Sequence, residues 1–218
     1  MTSTPPLAEL VQVMHQLRAG CPWDREQTHR SLATYLVEET GEVLDAIESG
    51  DDADLLEELG DLLLQVVFHA EIAAEEGRFT LDEVAGQITA KLVRRHPHVF
   101  DDRQEVPDDI NASWEARKRA EKGRSSSLEG IAEHLSVLAR ATKVTSRARS
   151  HGVDVPMADE PINAAELGEQ LMMLVQRAHA SGVDADQAGR EALRVLESRV
   201  LEAEQAVPAS GPTSHPGR

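Results

Sequence analysis

The sequence predicts an all-α protein, and three observations support this fold class. Apolar residues recur at three- and four-residue spacing along most of the chain, which is the period of one helix face. No segment shows the sustained alternation of β-branched and polar residues that marks a strand. Aromatic residues make up only 3% of the chain, so the core must consist of Leu, Val, Ile, Ala and Met, as in many helical bundles.

The first two helices are predicted from their apolar stripes and from the residues that interrupt them. The first stripe covers residues 7–17, and Gly20 and Pro22 end that helix. A loop with the sequence CPWDREQTH follows it. The second helix covers about 31–48, and Gly50 with the two Asp residues after it forms a turn.

The third and fourth helices follow without another long loop. The third covers about 53–76 and is apolar around most of its circumference, which is typical of a buried helix. Gly77 ends it. Thr80 and Glu83 form a capping-box pattern for the fourth helix, which Pro97 terminates.

The chain divides into a first domain, residues 1–122, whose last helix covers about 110–122. The segment KGRSSSLEG contains the predicted linker, 123–130. A second helical section covers 131–206, and the polar tail, 207–218, is predicted to be disordered.

The second section contains a degraded repeat of the first. The sequence EELGDLLLQVV at 57–67 recurs as AELGEQLMMLV at 165–175. In this repeat Glu169 takes the place of Asp61, and nothing like the preceding EETGE is present.

The charge distribution restricts the partners of this protein. The net charge is −17, and residues 31–77 contain 14 Asp and Glu residues without a Lys or Arg. Nucleic acids and anionic membranes favour basic surfaces, so neither is expected as a partner. The single Cys21, the absence of a signal-peptide pattern and the absence of an apolar run near ~20 residues predict a cytoplasmic protein that does not enter a membrane.

Two pairs of carboxylates in the acidic segment point to a cation site. On a helix, Glu39 and Glu42 project from one face, as do Glu58 and Asp61. If the second and third helices pack antiparallel across their short turn, the two pairs face each other. Their mutual repulsion is relieved by a hard divalent cation, and Mg²⁺ commonly takes substrate phosphates as further ligands.

The alternative is an ordinary solvated acidic face. Two features favour the cation site over it. Acidic residues without Lys or Arg one turn away repel each other and do not stabilise a helix. In addition, Glu58 and Asp61 lie among the leucines of the most apolar helix, so this pair borders the core.

Basic and aromatic residues supply further candidates, each with two interpretations. Lys91, Arg94 and Arg95 end the fourth helix, where they either complement the helix dipole or bind phosphate oxygens. Trp23 is either a hydrophobic plug or a platform for a base.

The histidines offer weaker metal-site patterns. His96 and His98 flank Pro97, where a structural role is favoured over metal ligation. Glu26 and His29 form one ExxH pattern, but a di-iron bundle needs two such patterns on facing helices, so that interpretation ranks low.

The residues resemble a known family over about 7–122. The segments CPWDREQTHRSLATYLVEETGEVLDAI, ELGDLLLQVVFHAEIAAEEGRF and KLVRRHPHVF are similar to those of the MazG nucleoside triphosphate pyrophosphohydrolases. The family pattern is EExxE followed, after a spacer, by ExxD. The resemblance implies a MazG-like helical bundle completed by dimerisation, and hydrolysis of a nucleoside triphosphate to the monophosphate and diphosphate with Mg²⁺, or with Mn²⁺ in its place.

The resemblance also implies roles for individual acidic residues. Glu39, Glu42, Glu58 and Asp61 take the positions of the metal ligands. Glu38 takes the position of the residue that orients or deprotonates the attacking water.

The substrate-binding positions follow in the same way. Lys91 and Arg95 match residues that hold the triphosphate, with Arg94 as a helper. Trp23 matches a tryptophan that stacks on the base in related dCTP pyrophosphatases.

Three functional hypotheses result. The first is a pyrophosphohydrolase that removes aberrant or excess nucleotides. The second is a nucleotide-binding regulatory or interaction protein with little catalysis, because the second copy lacks EExxE and has Leu196 where the first has Lys91. The third is a related pyrophosphohydrolase that acts on another nucleotide, such as phosphoribosyl-ATP. A homodimer or higher homo-oligomer is expected, because two long apolar helices need more cover than one small domain offers.

Overall fold

The computed structural model describes residues 5–206 apart from 102, 104, 108, 111, 112, 115, 116, 119, 120 and 122–124. The described residues form helices and connecting turns with no β-strand, which confirms the all-α prediction. Contacts between Cα atoms divide the chain into two compact units, Met1–Gln104 and Glu105–Arg218. The division into domains at Lys122 stays a prediction.

The first unit contains six helices among its described residues. These are α1 (Pro6–Gly20), α2 (Pro22–Glu26), α3 (Ala33–Ser49), α4 (Asp52–Glu75), α5 (Leu81–Arg95) and α6 (Pro97–Phe100). Four of them match the predicted helices to within about two residues, as expected for element ends.

Two short helices were missed by the sequence analysis. The segment predicted as a loop contains α2, which begins with Pro22 at its first position and has Asp24 in its first turn, both favourable at a helix N-terminus. In the same way, α6 begins with Pro97 directly after α5. In both cases proline ends one helix and begins another.

The ends of the long helices have clear local causes. Gly50 adopts a left-handed conformation, φ +74°, at the end of α3, and Gly77 does the same, φ +67°, just beyond α4. The predicted capping box of α5 is present: the Thr80 hydroxyl accepts from the Glu83 N–H, and the Glu83 carboxylate accepts from the Thr80 N–H.

The core of the first unit lies between α1, the residues before α3, and the second half of α4. Its buried residues are Met14, Leu32, Val67, Phe68 and Ile72. The expectation that α4 is buried on most sides is wrong for its other face. On that face Leu56 is 76% exposed, and Leu59, Leu63 and Val66 are exposed as well.

The second unit contains α7 (Val137–Ser150), α8 (Ala164–Ala180) and α9 (Ala185–Ala206) among its described residues. Its core contains Ile131, Val144, Ala148, Leu193 and Val200. The segment before α7 is anchored to this unit. Ser127 is fully buried, its N–H donates to the Glu204 carboxylate over 2.6 Å, and its carbonyl accepts from Arg147.

Several predictions fall outside the described residues. The helix predicted at about 110–122 falls partly on residues that are not described, and its described residues, 110, 113, 114, 117, 118 and 121, are helical. The tail at 207–218 lies completely outside the described residues. None of the described helices has the length and hydropathy that a membrane crossing requires.

Candidate metal and nucleotide site

The α3–α4 hairpin brings the two acidic motifs together. Only Gly50 and Asp51 separate the helices, so the chain reverses within two residues and α3 packs against α4. The Asp51 side chain caps α4 by accepting from the Ala53 N–H over 2.8 Å and from the Asp54 N–H. The helix that carries EExxE therefore lies beside the helix that carries ExxD.

Three carboxylates from the two helices form a tight group. Glu39 from α3 and Glu58 and Asp61 from α4 each offer one oxygen, and these oxygens lie within 4.8 Å of one another. All three side chains are partly buried. The two predicted pairs are thus brought together across the hairpin, with Glu42 outside the tightest group.

Glu42 borders the same group from its open side. Together with Glu58 and Asp45 it lines a depression of about 220 Å³ that also touches Asp54. The charge of Glu42 acts on both Glu39 and Glu58. Glu38 is exposed and adds its charge to that of Glu39.

The electrostatics of the group disfavour its ionised state. Burial, followed by the charges of Asp61 and Glu42, raises the pKa of Glu39. Burial and the charges of Glu42 and Asp61 likewise raise the pKa of Glu58. The folded chain therefore holds these carboxylates together against their repulsion.

The donor set fits a hard divalent cation. All its oxygens come from carboxylates, which Mg²⁺ and Mn²⁺ prefer over softer ligands. The segment 31–77 supplies no Lys or Arg to neutralise them. The depression beside Glu42 and Glu58 leaves room for water or phosphate oxygens next to the carboxylates.

The basic residues end α5, which packs on α4. Lys91 is half-buried, Arg94 is exposed, and Arg95 is buried at 6% exposure. Spacings of three and four residues put Arg94 and Arg95 near the face of Lys91. Both interpretations from the sequence, a favourable charge at the helix terminus and the binding of phosphate oxygens, fit this placement.

Trp23 lies beside the first turn of α3. Its ring is 51% exposed and contacts Tyr35 edge-on, with ring centroids 6.0 Å apart and planes at 76°. Tyr35 lies one helical turn before Glu39. The sequence analysis missed Tyr35, whose i, i+4 spacing from Glu39 was the available signal.

Arg18 anchors the segment that carries Trp23, a role that no sequence pattern indicates. The guanidinium is buried and donates to the carbonyls of Asp24, Arg25 and Gln27 at 2.5, 3.1 and 3.0 Å. It also binds both carboxylate oxygens of Glu75 on α4. Arg18 therefore links the backbone of the α2 segment to the Glu75 side chain of α4.

The histidines flanking Pro97 contact each other and the backbone. The His96 Nδ1 lies 2.8 Å from the Leu92 carbonyl, and the two imidazoles meet edge-on with centroids 5.7 Å apart. These contacts agree with the structural role favoured from the sequence.

The repeat in the second unit lacks the geometry of the first. Glu166 and Glu169 are exposed on α8, and the Glu166 carboxylate accepts from Gln170 on the same helix. Among the described residues, the group of Glu39, Glu58 and Asp61 is the one set of three or more candidate ligands with this proximity.

Comparisons with known proteins identify the domain family of this part of the chain. The model of the MazG nucleotide pyrophosphohydrolase domain matches residues 27–100, which include both carboxylate pairs and the basic end of α5. The nucleoside triphosphate pyrophosphohydrolase of Escherichia coli K12 is 40% identical over 93% of this chain and 88% of that protein.

Two further relatives match over a similar extent. The Thermotoga maritima nucleoside triphosphate pyrophosphohydrolase/pyrophosphatase MazG is 37% identical over 93% of this chain and 87% of its own. An uncharacterised 26.1 kDa protein from the blaB 3′ region of Streptomyces cacaoi is 44% identical over 91% of this chain and 82% of that protein. The chain belongs to the MazG nucleotide pyrophosphohydrolase family.

Proposed function

We propose that this protein is a Mg²⁺-dependent nucleoside triphosphate pyrophosphohydrolase, which converts an NTP or dNTP and water to the monophosphate and diphosphate. The observation that supports this most directly is the group of three carboxylates within 4.8 Å across the α3–α4 hairpin. Family membership supports the reaction class. The physiological role we propose is removal of aberrant or excess nucleotides.

The cation would be held by Glu39, Glu42, Glu58 and Asp61, with Mn²⁺ able to replace Mg²⁺. When bound, such a cation neutralises the carboxylates and withdraws charge from the triphosphate. The α3–α4 hairpin would bring these oxygens to the cation from two rigid helices, which favours a preorganised site.

The remaining residues would act on water and substrate. Glu38 is exposed next to Glu39, and its carboxylate would accept the proton of the water that attacks the α-phosphorus. Lys91, Arg94 and Arg95 would bind oxygens of the departing diphosphate. Trp23 offers an exposed aromatic face for the base.

A substrate panel tests this proposal. Purified protein is incubated with canonical and damaged NTPs and dNTPs and with phosphoribosyl-ATP, in Mg²⁺ or EDTA, and the products are identified. Diphosphate release that requires the cation is expected, with both Glu42→Ala and Asp61→Ala inactive but folded. Glu48→Gln, which changes an exposed acidic residue at the end of α3, serves as the matched control and retains activity.

The panel also distinguishes the two alternatives. Cation-dependent nucleotide binding without product from any substrate would favour a regulatory nucleotide-binding protein. Turnover of phosphoribosyl-ATP alone would favour the related pyrophosphohydrolase.

We further propose a homodimer or higher homo-oligomer. The argument is the exposed apolar surface of the hairpin, which includes Leu44 and Ile47 of α3 and Leu56 and Leu59 of α4. Such a contiguous apolar face is typical of a protein interface. A cytoplasmic location is proposed on the lone cysteine, Cys21, which is free in the structure.

A further inference from the structure

Gln65 lies between the carboxylate group and the core of the first unit. It follows Asp61 by one turn on α4 and precedes the buried pair Val67 and Phe68. Its side chain is only 5% exposed. A glutamine at such a position loses its hydration on folding, so its polar atoms need partners within the protein or its ligands.

The amide nitrogen of Gln65 has such a partner. Its Nε2 lies 3.4 Å from the Glu39 Oε1. The nitrogen must face the carboxylate in this contact, because two oxygens would repel each other. The amide thus donates a long hydrogen bond to one oxygen of Glu39 and restrains the carboxylate.

The amide oxygen of Gln65 has no hydrogen-bond partner among the described residues. Oε1 is buried and accepts no hydrogen bond from any residue that the structure describes. It is bonded to the same carbon as Nε2, whose contact with Glu39 brings this amide group up to the carboxylate. An acceptor in this place is suited to a donor that enters with the ligand, and water bound to a divalent cation is such a donor.

We propose that Gln65 is a positioning residue of the cation site, whose nitrogen orients Glu39 and whose oxygen accepts a hydrogen bond from cation-bound water. This inference rests on the proposed function, because it assumes that the carboxylate group binds a cation. Gln65 would add a neutral side chain to a site whose sequence motifs, EExxE and ExxD, specify only acidic residues.

A methionine at this position separates positioning from packing. Gln65→Met has nearly the same length and shape, and it removes both the donor and the orphaned acceptor. Since a buried acceptor without a partner is unfavourable, the variant should melt no lower than the wild type without metal. Gln65→Asn retains the amide but withdraws it by one methylene, so it serves as a second variant.

Mn²⁺ alone is the probe, titrated into the full chain without nucleotide and followed by its paramagnetic resonance signal. The wild type is expected to bind Mn²⁺, and both variants should bind it about 10-fold more weakly. This is the smaller of the losses in metal affinity that are typical when a residue hydrogen-bonded to a metal ligand is replaced. Gln87→Met, an exposed substitution on α5, is the control and should bind as wild type does.

The outcomes separate the two proposals. Equal Mn²⁺ affinity in the wild type and Gln65→Met, with or without a change in melting temperature, would overturn the positioning role and leave the cation site intact. Absence of Mn²⁺ binding by the folded wild type would overturn the cation site itself, and the role of Gln65 with it.

Discussion

The Nδ1 atoms of His29 and His69 lie 2.7 Å apart, and the two imidazoles stack with planes 7° apart. Arg78 contacts the Nε2 of His29. A guanidinium can only donate, so this Nε2 accepts and the proton of neutral His29 lies on Nδ1. His29 therefore donates to the Nδ1 of His69, and the contact requires this accepting nitrogen to be unprotonated.

Acidification should break this contact. Burial lowers the pKa of His69 below its usual value, and a positive charge on His29 at acidic pH lowers it further. The folded state then binds fewer protons than the unfolded state, so the contribution to stability is complete above the unfolded pKa of about 6.5 and is lost as the pH falls below it. The free energy of unfolding in urea should decrease from pH 7.5 to pH 5.

The matched variants are His69→Phe, which keeps a planar ring, and His179→Gln, which changes an exposed histidine of α8. The first should flatten the pH dependence of the unfolding free energy, whereas the second should leave it as in wild type. Identical pH profiles for wild type and His69→Phe would contradict this assignment.

Removing the charge of Glu39, one of the proposed cation-binding carboxylates, should stabilise the protein and inactivate it. Burial and then the charges of Asp61 and Glu42 raise the pKa of Glu39, so its ionisation destabilises the folded state as the pH rises through the folded pKa. At neutral pH without metal, Glu39→Gln should melt higher by about 2 °C. A thermal scan with and without Mg²⁺ tests this, because the cation should raise the melting temperature of the wild type more. A lower melting temperature for the variant would argue against mutual repulsion.

Replacing Arg18 should loosen the α2 segment. Arg18→Lys cannot reach three carbonyls and Glu75 at once, and the expected loss is about 1–3 kcal/mol of unfolding free energy. The hydrogen bond from Arg18 lowers the pKa of Glu75, so this part of the stability is present above the unfolded pKa of Glu75 and is lost as the pH falls through its folded value. Chemical denaturation at pH 7 and pH 4 measures both effects. A deficit that does not shrink at the lower pH would exclude the ion pair as its source.

The acids of the repeat should be dispensable. The double substitution Glu166→Gln and Glu169→Gln removes the residues that correspond to Glu58 and Asp61, yet they lie exposed on α8. Diphosphate release should remain at the wild-type rate, measured beside the inactive Asp61→Ala. Loss of turnover in the folded double variant would show that the second unit takes part in catalysis.

A charge on the exposed face of α4 should weaken self-association. Leu56 is 76% exposed, so Leu56→Glu should not disturb the core, but it would place a carboxylate in the proposed interface. Sedimentation velocity should show the wild type as a dimer or larger and the variant as a smaller species. Val99→Glu, at a 63% exposed position of α6, is the control. A wild type that sediments as a monomer would refute the proposed interface.

Features that depend on neighbouring residues were predictable from the sequence. The Thr80–Glu83 capping box, the turn at Gly50 and the Glu58–Asp61 pair all follow from spacings of a few residues, where helix geometry alone sets the contact. The approach of Glu39 to that pair also followed, because the short turn forces α3 back along α4.

Features that depend on distant residues were not predictable. Arg18 meets Glu75 across 57 positions, and His29 meets His69 across 40, so no local pattern links either pair. The burial of Gln65 depends on which face of α4 turns toward α3 and the core. The same rotation leaves Leu56 outside, although it belongs to the run of leucines that made the whole helix look buried from the sequence.

The clamp that Arg18 forms on α2 has a consequence for how the protein can change over evolutionary time. Its three bonds to this segment go to main-chain carbonyls, which every amino acid has. Substitutions at Asp24, Arg25 or Gln27 therefore leave the anchoring atoms in place. A lineage could thus remodel the surroundings of Trp23, our proposed platform for the base, while the acidic hairpin is inherited unchanged.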